Sequence, residues 1–217
     1  MRVSQIEPQI HHRNRWNVSI DGEFRFGVSE SVLVTEGLTV GMELSEDDIA
    51  RIQNADAEQG LFEDALHFLG PRPRSRSEVR MRLLRRRPDR ESVTPEAVER
   101  VLRRLEALSL LDDRSFAGFW VENRERFRPR SARALRQELS QRGVEREIRE
   151  ELAQPDRDEE RALLAARQHL RGAIPPDFDS FQSRLGNFLL RRGFSYDIAR
   201  HVTQSLWNEL RDGDAGW

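Results

Sequence analysis

The chain contains no cysteine and no lysine, and a single tyrosine among its 217 residues. The missing thiols exclude disulfides, thiolate catalysis and cysteine-based zinc sites. No apolar run approaches the roughly 20 residues that a membrane-spanning helix needs. The first residues also lack the apolar core of a secretory signal, so the cytoplasm is the expected location. Without lysine, all 36 basic residues are arginines. A codon or stability bias is the simplest cause, but the consequences are local. The planar guanidinium keeps its charge and pairs with carboxylates or phosphates through two parallel hydrogen bonds. A formal net charge of -2 argues against a uniformly basic nucleic-acid binder.

What is present is unevenly distributed. Residues 1–60 carry 5 arginines against 11 acids, and residues 61–154 carry 22 against 17. Residues 71–90 alone hold 9 arginines and 2 acids, which concentrates positive potential on one helix and the loop entering it. A repeat underlies this distribution. Leu135, Leu139, Arg142, Gly143, Ile148 and Leu152 are spaced as Leu185, Leu189, Arg192, Gly193, Ile198 and Val202 are. A worn copy precedes them, with Val79, Leu83 and Arg86 in the first places. Arg87 stands where glycine would be, and an insertion displaces the last pair to Val98 and Leu102. Recurrence at roughly 45 to 50 residues predicts a stacked helical array in which each unit buries its apolar stripe against its neighbours.

The first sixty residues follow another rule. Asp21-Gly22 between the alternating segments Arg15–Ile20 and Glu23–Val28 predicts a hairpin with a type I′ turn. Trp16, Val18 and Ile20 are expected on one face, with Phe24 and Phe26 on the second strand; Val3–Glu7 adds a third strand. A short helix around Val32–Val34 and an N-cap at Ser45, with Asp48 after it, complete this part. From Leu61 the period is helical. Gly70-Pro71-Arg72-Pro73 breaks the first helix, Ser75 and Glu78 form a capping box, and Thr94-Pro95-Glu96 opens the third helix. The second unit starts with Asp113 as N-cap, breaks at Pro129 and resumes from Ser131. The third starts near Asp158, breaks at Pro175-Pro176 and resumes after Asp179, with Gln182 in capping-box position. Gly143 and Gly193 sit where a helix ends in a left-handed residue. The expected organisation is a β-hairpin segment with short helices at 1–57, three-helix repeats at 58–111, 112–156 and 157–211, and a flexible tail at 212–217. The fold class is mainly α, an elongated array of tandem three-helix repeats behind a small N-terminal β/α segment.

No catalytic constellation, phosphate loop or metal spacing is present, and no cofactor is expected. His11-His12 point to opposite sides of an extended segment, while His67, His169 and His201 stand alone on separate helices. The candidate contacts to a partner are Arg72, Arg74, Arg76, Arg80, Arg82, Arg86, Arg87, Arg126, Arg128, Arg130, Arg133, Arg142 and Arg192. A solvated face is the alternative reading of the first group. Glu122 and Glu125 compete for the second, which surrounds Pro129 together with Arg124 and Arg136. For Arg142 and Arg192 the alternative is a seat over helix C-termini. Phe116, Trp120, Phe181 and Phe188 recur at core spacing rather than as base-stacking platforms.

An ordered set of motifs resembles the RecX regulators of the RecA recombinase. It comprises Ala65, Phe68-Leu69, Arg74, Ser75 and Glu78; then Leu110-Leu111-Asp112-Asp113 with Phe116-Ala117; then Glu138-Leu139 and Arg142-Gly143-Val144; then Phe188-Leu189 and Arg192-Gly193-Phe194. The resemblance covers about residues 60–210, and the hairpin segment is similar to the extension of some members. It implies an extended protein of tandem three-helix repeats that docks along the groove of a RecA filament on single-stranded DNA; the want of a catalytic constellation favours a non-enzymatic protein, and repeat architecture a monomer. It also implies modulation, typically inhibition, of filament growth, ATP hydrolysis and strand exchange, within DNA repair, recombination and the SOS response. Arg87 departs from the family's pattern, as does the proline-rich link in the third unit. A helix-turn-helix protein acting directly on DNA is the alternative, since Leu135–Leu152 has the two-helix pattern with a glycine turn. Glu145, Glu147, Glu150 and Glu151 on its second helix oppose that reading.

Overall fold

The structure is a computed structural model that describes residues 1–10, 14–85, 93–170, 177–211 and 213. The expectations for His11, His12, Arg86, Arg87, the Pro175-Pro176 break and most of the tail lie outside them. Backbone contacts divide the chain into two compact units: Met1–Arg72 with Val79–Leu110, and Pro73–Glu78 with Leu111–Trp217.

The first unit opens with a three-stranded antiparallel meander, β1 (Val3–Pro8), β2 (Arg15–Ile20) and β3 (Glu23–Ser29), in spatial order β1-β2-β3. Asp21 and Gly22 have φ of 52° and 92°, the paired left-handed conformations of a type I′ turn, which is why Asp-Gly stands there. Val18, Ile20, Phe26 and Val28 are buried as the alternation predicts, but Phe24 is 63% exposed. The register shifts between Val18, opposite Phe26, and Ser19, opposite Phe24. A bulge there breaks the period of two and releases Phe24 from the core face. The sheet packs its buried face with Val32 of α1 (Glu30–Thr35) and with Ile49 and Ile52 of α2 (Glu46–Leu69). Ser45 caps α2 in a full capping box with Asp48. Helix α2 is 24 residues long and runs unbroken through residues 57 and 58, where sequence alone suggests a boundary. Its later turns meet α4 (Pro95–Ala107) through Arg100 Nε and Glu58, 2.7 Å apart, and through Arg104, which donates to Gln59 at 3.0 Å. Thr94 caps α4, accepting from the Ala97 amide. Helix α3 (Arg76–Leu84) starts in the second unit and continues into the first.

The second unit contains two successive three-helix bundles. The first is α5 (Asp113–Phe127), α6 (Ala132–Ser140) and α7 (Arg146–Leu152) around Phe116, Val121, Leu135, Leu139 and Val144. After a 3-10 turn at Pro155–Arg157, the second is α8 (Asp158–His169), α9 (Phe178–Arg191) and α10 (Tyr196–Arg211) around Ala162, Phe181, Leu185, Leu189, Phe194 and Leu206. The leucines repeated in the sequence are the bundle cores. Phe116 and Phe181 are fully buried, and each contributes about 1.5–3 kcal/mol by leaving water. Two N-caps differ from the sequence reading. Asp112, not Asp113, caps α5 by accepting from the Arg114 and Ser115 amides, and Asp177 caps α9 two residues before Asp179.

Candidate functional site

The two Arg-Gly turns are docking points within the second unit. Ser75, at the N-terminal end of α3, donates its hydroxyl to the Arg142 carbonyl at 2.7 Å and accepts from the Glu78 amide at 3.1 Å. The Arg76 amide next to it donates to Asp113 Oδ1 at 2.7 Å, which is what frees Asp112 to be the cap of α5. The arrangement recurs one bundle later. The Ser131 amide donates to the Arg192 carbonyl at 3.3 Å, the Ser131 hydroxyl accepts from the Ala134 amide at 3.2 Å, and the Ala132 amide donates to Asp158 at 2.7 Å. In both clasps a glycine turn of one bundle sits against the second helix of the preceding repeat. The first aspartate of the later bundle's opening helix satisfies an orphan amide of that same helix. The glycines are needed twice over. Gly143 has φ +76° and would place a Cβ 2.5 Å from Ser77 Cβ; Gly193 has φ +94° and would place one 2.7 Å from Ser131 Oγ.

A buried arginine that composition alone did not single out completes the second clasp. Arg161 is 3% exposed, donates from Nε to Glu125 at 2.9 Å, from Nη1 to the Gln154 carbonyl at 2.7 Å, and pairs with Asp158 at 3.2 Å. Glu125 also takes Arg157. It therefore does not serve the arginines around Pro129. Glu138 serves them instead, 12% exposed, accepting from Arg124 Nε and Trp120 Nε1 at 2.8 and 2.7 Å on one oxygen and facing Arg130 at 3.1 Å with the other. Trp120 carries two guanidinium groups near its ring, Arg124 at 4.5 Å and Arg142 at 3.7 Å from the centroid. Arg142 also donates to the Glu138 carbonyl at 2.8 Å, the seat over a helix C-terminus that its position suggests.

The remaining candidate arginines divide by surroundings. Arg72, Arg74 and Arg76 are half-buried and each is engaged within the fold. Arg80 pairs with Glu99 at 2.8 Å, and Arg82 lies 5.7 Å from the Phe68 ring. Arg86 and Arg87 are outside the described residues. Arg126, Arg128 and Arg133 are exposed, with Arg126 lying 5.1 Å from the centroid of Phe127. Arg192 lies 4.9 Å from the Phe188 ring, and His169 stacks on that ring at 4.0 Å. The structure thus brings Arg124, Arg128, Arg130 and Arg192 into one electrostatic neighbourhood. Burial lowers the Arg192 guanidinium from its ordinary value, and Arg130, Arg128 and Arg124 lower it further.

In the first unit, a shallow open depression is lined by Ser31, Thr35, Glu36, Glu58, Gln59 and Arg104. Its carboxylates are committed, Glu36 to Arg51 and Glu58 to Arg100. Among the described residues, no cluster of three His, Asp or Glu side chains suits a metal ion, and no helix is long and apolar enough to cross a membrane.

Successive three-helix bundles, with a serine and an aspartate holding the helix ends at each junction, define a helical-repeat protein. Comparison with known proteins makes the assignment specific. Residues 1–45 match the model of the regulatory protein RecX N-terminal domain, residues 112–152 the RecX second three-helix domain, and residues 157–203 the RecX third three-helix domain. Regulatory protein RecX of Lactobacillus johnsonii is 33% identical over 98% of this chain and 77% of its own length. That of Listeria welshimeri is 26% identical over 99% and 79%. A crystal structure of regulatory protein RecX superposes with a TM-score of 0.71 at 26% identity, covering 94% of this chain and 98% of that one. RecX from Lactobacillus salivarius shares the fold with a TM-score of 0.53 over 70% of this chain. The chain belongs to the RecX family of regulatory proteins.

Proposed function

We propose that this chain binds along RecA filaments assembled on single-stranded DNA and limits their growth, ATP hydrolysis and strand exchange. It acts without catalysis of its own, as a monomer in the cytoplasm, within recombination, DNA repair and the SOS response. The observation that carries this reading is the match of three RecX domain models in order along the chain, at residues 1–45, 112–152 and 157–203, with Arg-Gly turns that are the clasps of its bundles. Arginines on the outer surface contact acidic protein surface or nearby phosphates. Many such contacts made at once raise effective concentration, so modest affinity per bundle suffices for occupancy. Occupancy then blocks DNA entry, holds protomers in a state unsuited to ATP turnover, or caps growth.

A titration with labelled single-stranded DNA at two salt concentrations, with and without RecA, tests this. Binding to the RecA-coated strand at concentrations that leave bare DNA unbound is the expected result. Tight, steeply salt-dependent binding to bare DNA would favour a direct DNA binder instead. Exposed Glu145, Glu147, Glu150 and Glu151 on and beside α7 oppose that alternative, because they stand on the helix that would enter the groove.

A further inference from the structure

The turn between α9 and α10 lies on the start of α6: the Ser131 amide donates to the Arg192 carbonyl at 3.3 Å, and a Cβ on Gly193 would stand 2.9 Å from that of Ala134. Arg192 therefore adjoins the link Arg128-Pro129-Arg130 that leads into α6. Carboxylates are scarce at this junction. Glu138 is shared by Arg124 and Arg130, Glu125 is held by Arg157 and Arg161, and exposed Glu122 pairs with none of them. Among the described residues, Arg128 has no hydrogen bond or ion pair, and the guanidinium of half-buried Arg192 has only the Phe188 ring. Burial, and then Arg130, Arg128 and Arg124, hold Arg192 below its ordinary value, so all three stand close enough to repel it. A ring is exposed on the same side. Phe127, the last residue of α5, is 61% exposed and follows Trp120 and Arg124 by seven and three positions, so it shares their face of the helix. That face meets α6, since Trp120 and Arg124 both donate to Glu138.

We propose that Arg128, Arg130 and Arg192 hold phosphates of a single-stranded nucleic acid while one of its bases stacks on Phe127. This deepens, and rests on, the reading of the chain as a regulator of filaments assembled on such a strand. Uncompensated guanidinium groups select an anion, and their forks fit phosphate oxygens. A strand carries a charge at every nucleotide with flat bases between, which matches separate cations set around one exposed ring. An acidic peptide matches less well, because the apolar side chain that anchors a peptide fills a packed pocket, and a lone ring offers none. Stacking on a single ring tolerates any base, so the seat reads no sequence. Three phosphate contacts give a slope of about -2 for log affinity against log salt, so a bare strand is held firmly only at low salt.

The test uses the full chain at low salt with labelled oligothymidylate, an abasic strand of the same length, and polyaspartate as competitor. Phe127→Ser and Arg128→Gln alter exposed side chains, and Arg200→Gln on α10 is the control. Oligothymidylate is expected to bind the parent more tightly than the abasic strand does, and to weaken about tenfold in Phe127→Ser, which should bind the two strands alike. Arg128→Gln should weaken both strands and flatten the salt slope by about 0.7, a change that Phe127→Ser should not make. Failure of oligothymidylate to bind, equal losses in the control, or parent binding that does not distinguish the abasic strand overturns the proposal. Polyaspartate that displaces labelled oligothymidylate as well as the unlabelled strand does overturns it in favour of an acidic protein surface. Strand binding with these losses in a chain that ignores RecA filaments sustains this inference and removes the function proposed above. Strand binding indifferent to both substitutions, in a chain that still inhibits filaments, does the reverse.

Discussion

Gly143 and Gly193 each combine a left-handed backbone with a close approach to the preceding repeat, and no L side chain meets both demands. Gly143→Ala and Gly193→Ala should each lower stability by about 2–4 kcal/mol, from left-handed strain plus displacement of Ser77 or of Ser131 and Ala134. Urea unfolding measures this, and a loss below about 0.5 kcal/mol would show that the turns do not seat as described. Arg161→Ala should cost about 3 kcal/mol, the lower end of the range for breaking a buried pair, because Glu125 keeps Arg157 and Asp158 keeps the Ala132 amide. His169 gives a pH dependence of definite sign. Its folded value lies below the ordinary 6.5, because burial and three arginines oppose its protonation. The unfolded chain therefore binds the proton first, so this contribution to stability is intact above about pH 6.5, declines below it, and is lost as pH falls through the lower folded value. Denaturation midpoints at pH 7.5 and 5.5 should differ less in His169→Gln than in the parent; an unchanged difference would dismiss His169 as the source.

Elements are where sequence and structure can be compared most closely. The caps at Ser45, Ser75 and Thr94 and the Asp21-Gly22 hairpin were legible because each depends on residues within a few positions of one another. Phe24 was not, since a bulge is set by pairing across strands and leaves no mark in alternation. Adjacent Asp112 and Asp113 offer two equivalent caps. Only the distant Arg76 amide decides between them. Glu138 as the partner of Arg124 and Arg130 was missed for the same reason: it lies on the next helix, whereas Glu122 and Glu125 are neighbours in sequence. The recurrence of serine at the start of each repeat's second helix and aspartate at the start of the next bundle was the available signal for the clasps. Asp113→Ala and Asp158→Ala should each cost about 1–3 kcal/mol by leaving an orphan amide, with the larger loss at Asp158, which also holds Arg161. Amide exchange should quicken at Arg76 in the first variant and at Ala132 in the second; unchanged protection would mean that the clasps do not hold those helix ends.

Over the whole molecule, net charge is separated along the chain, negative in the first sixty residues, where arginine is scarce, and positive in the middle, where it is abundant. Contacts dominated by exposed guanidinium groups weaken as salt screens them, so filament association should fall between 50 and 300 mM salt, conditions that shorten the Debye length from about 14 to 6 Å. The protein's own fold should resist that change, because Arg161 and Glu138 hold their partners in buried or half-buried surroundings. The most direct measurement is the rate of ATP hydrolysis by RecA on single-stranded DNA as this protein is added. Binding across successive protomers predicts a falling rate at amounts well below one copy per RecA protomer. A rate that is untouched at saturating protein, with the protein shown to be folded, would contradict the account.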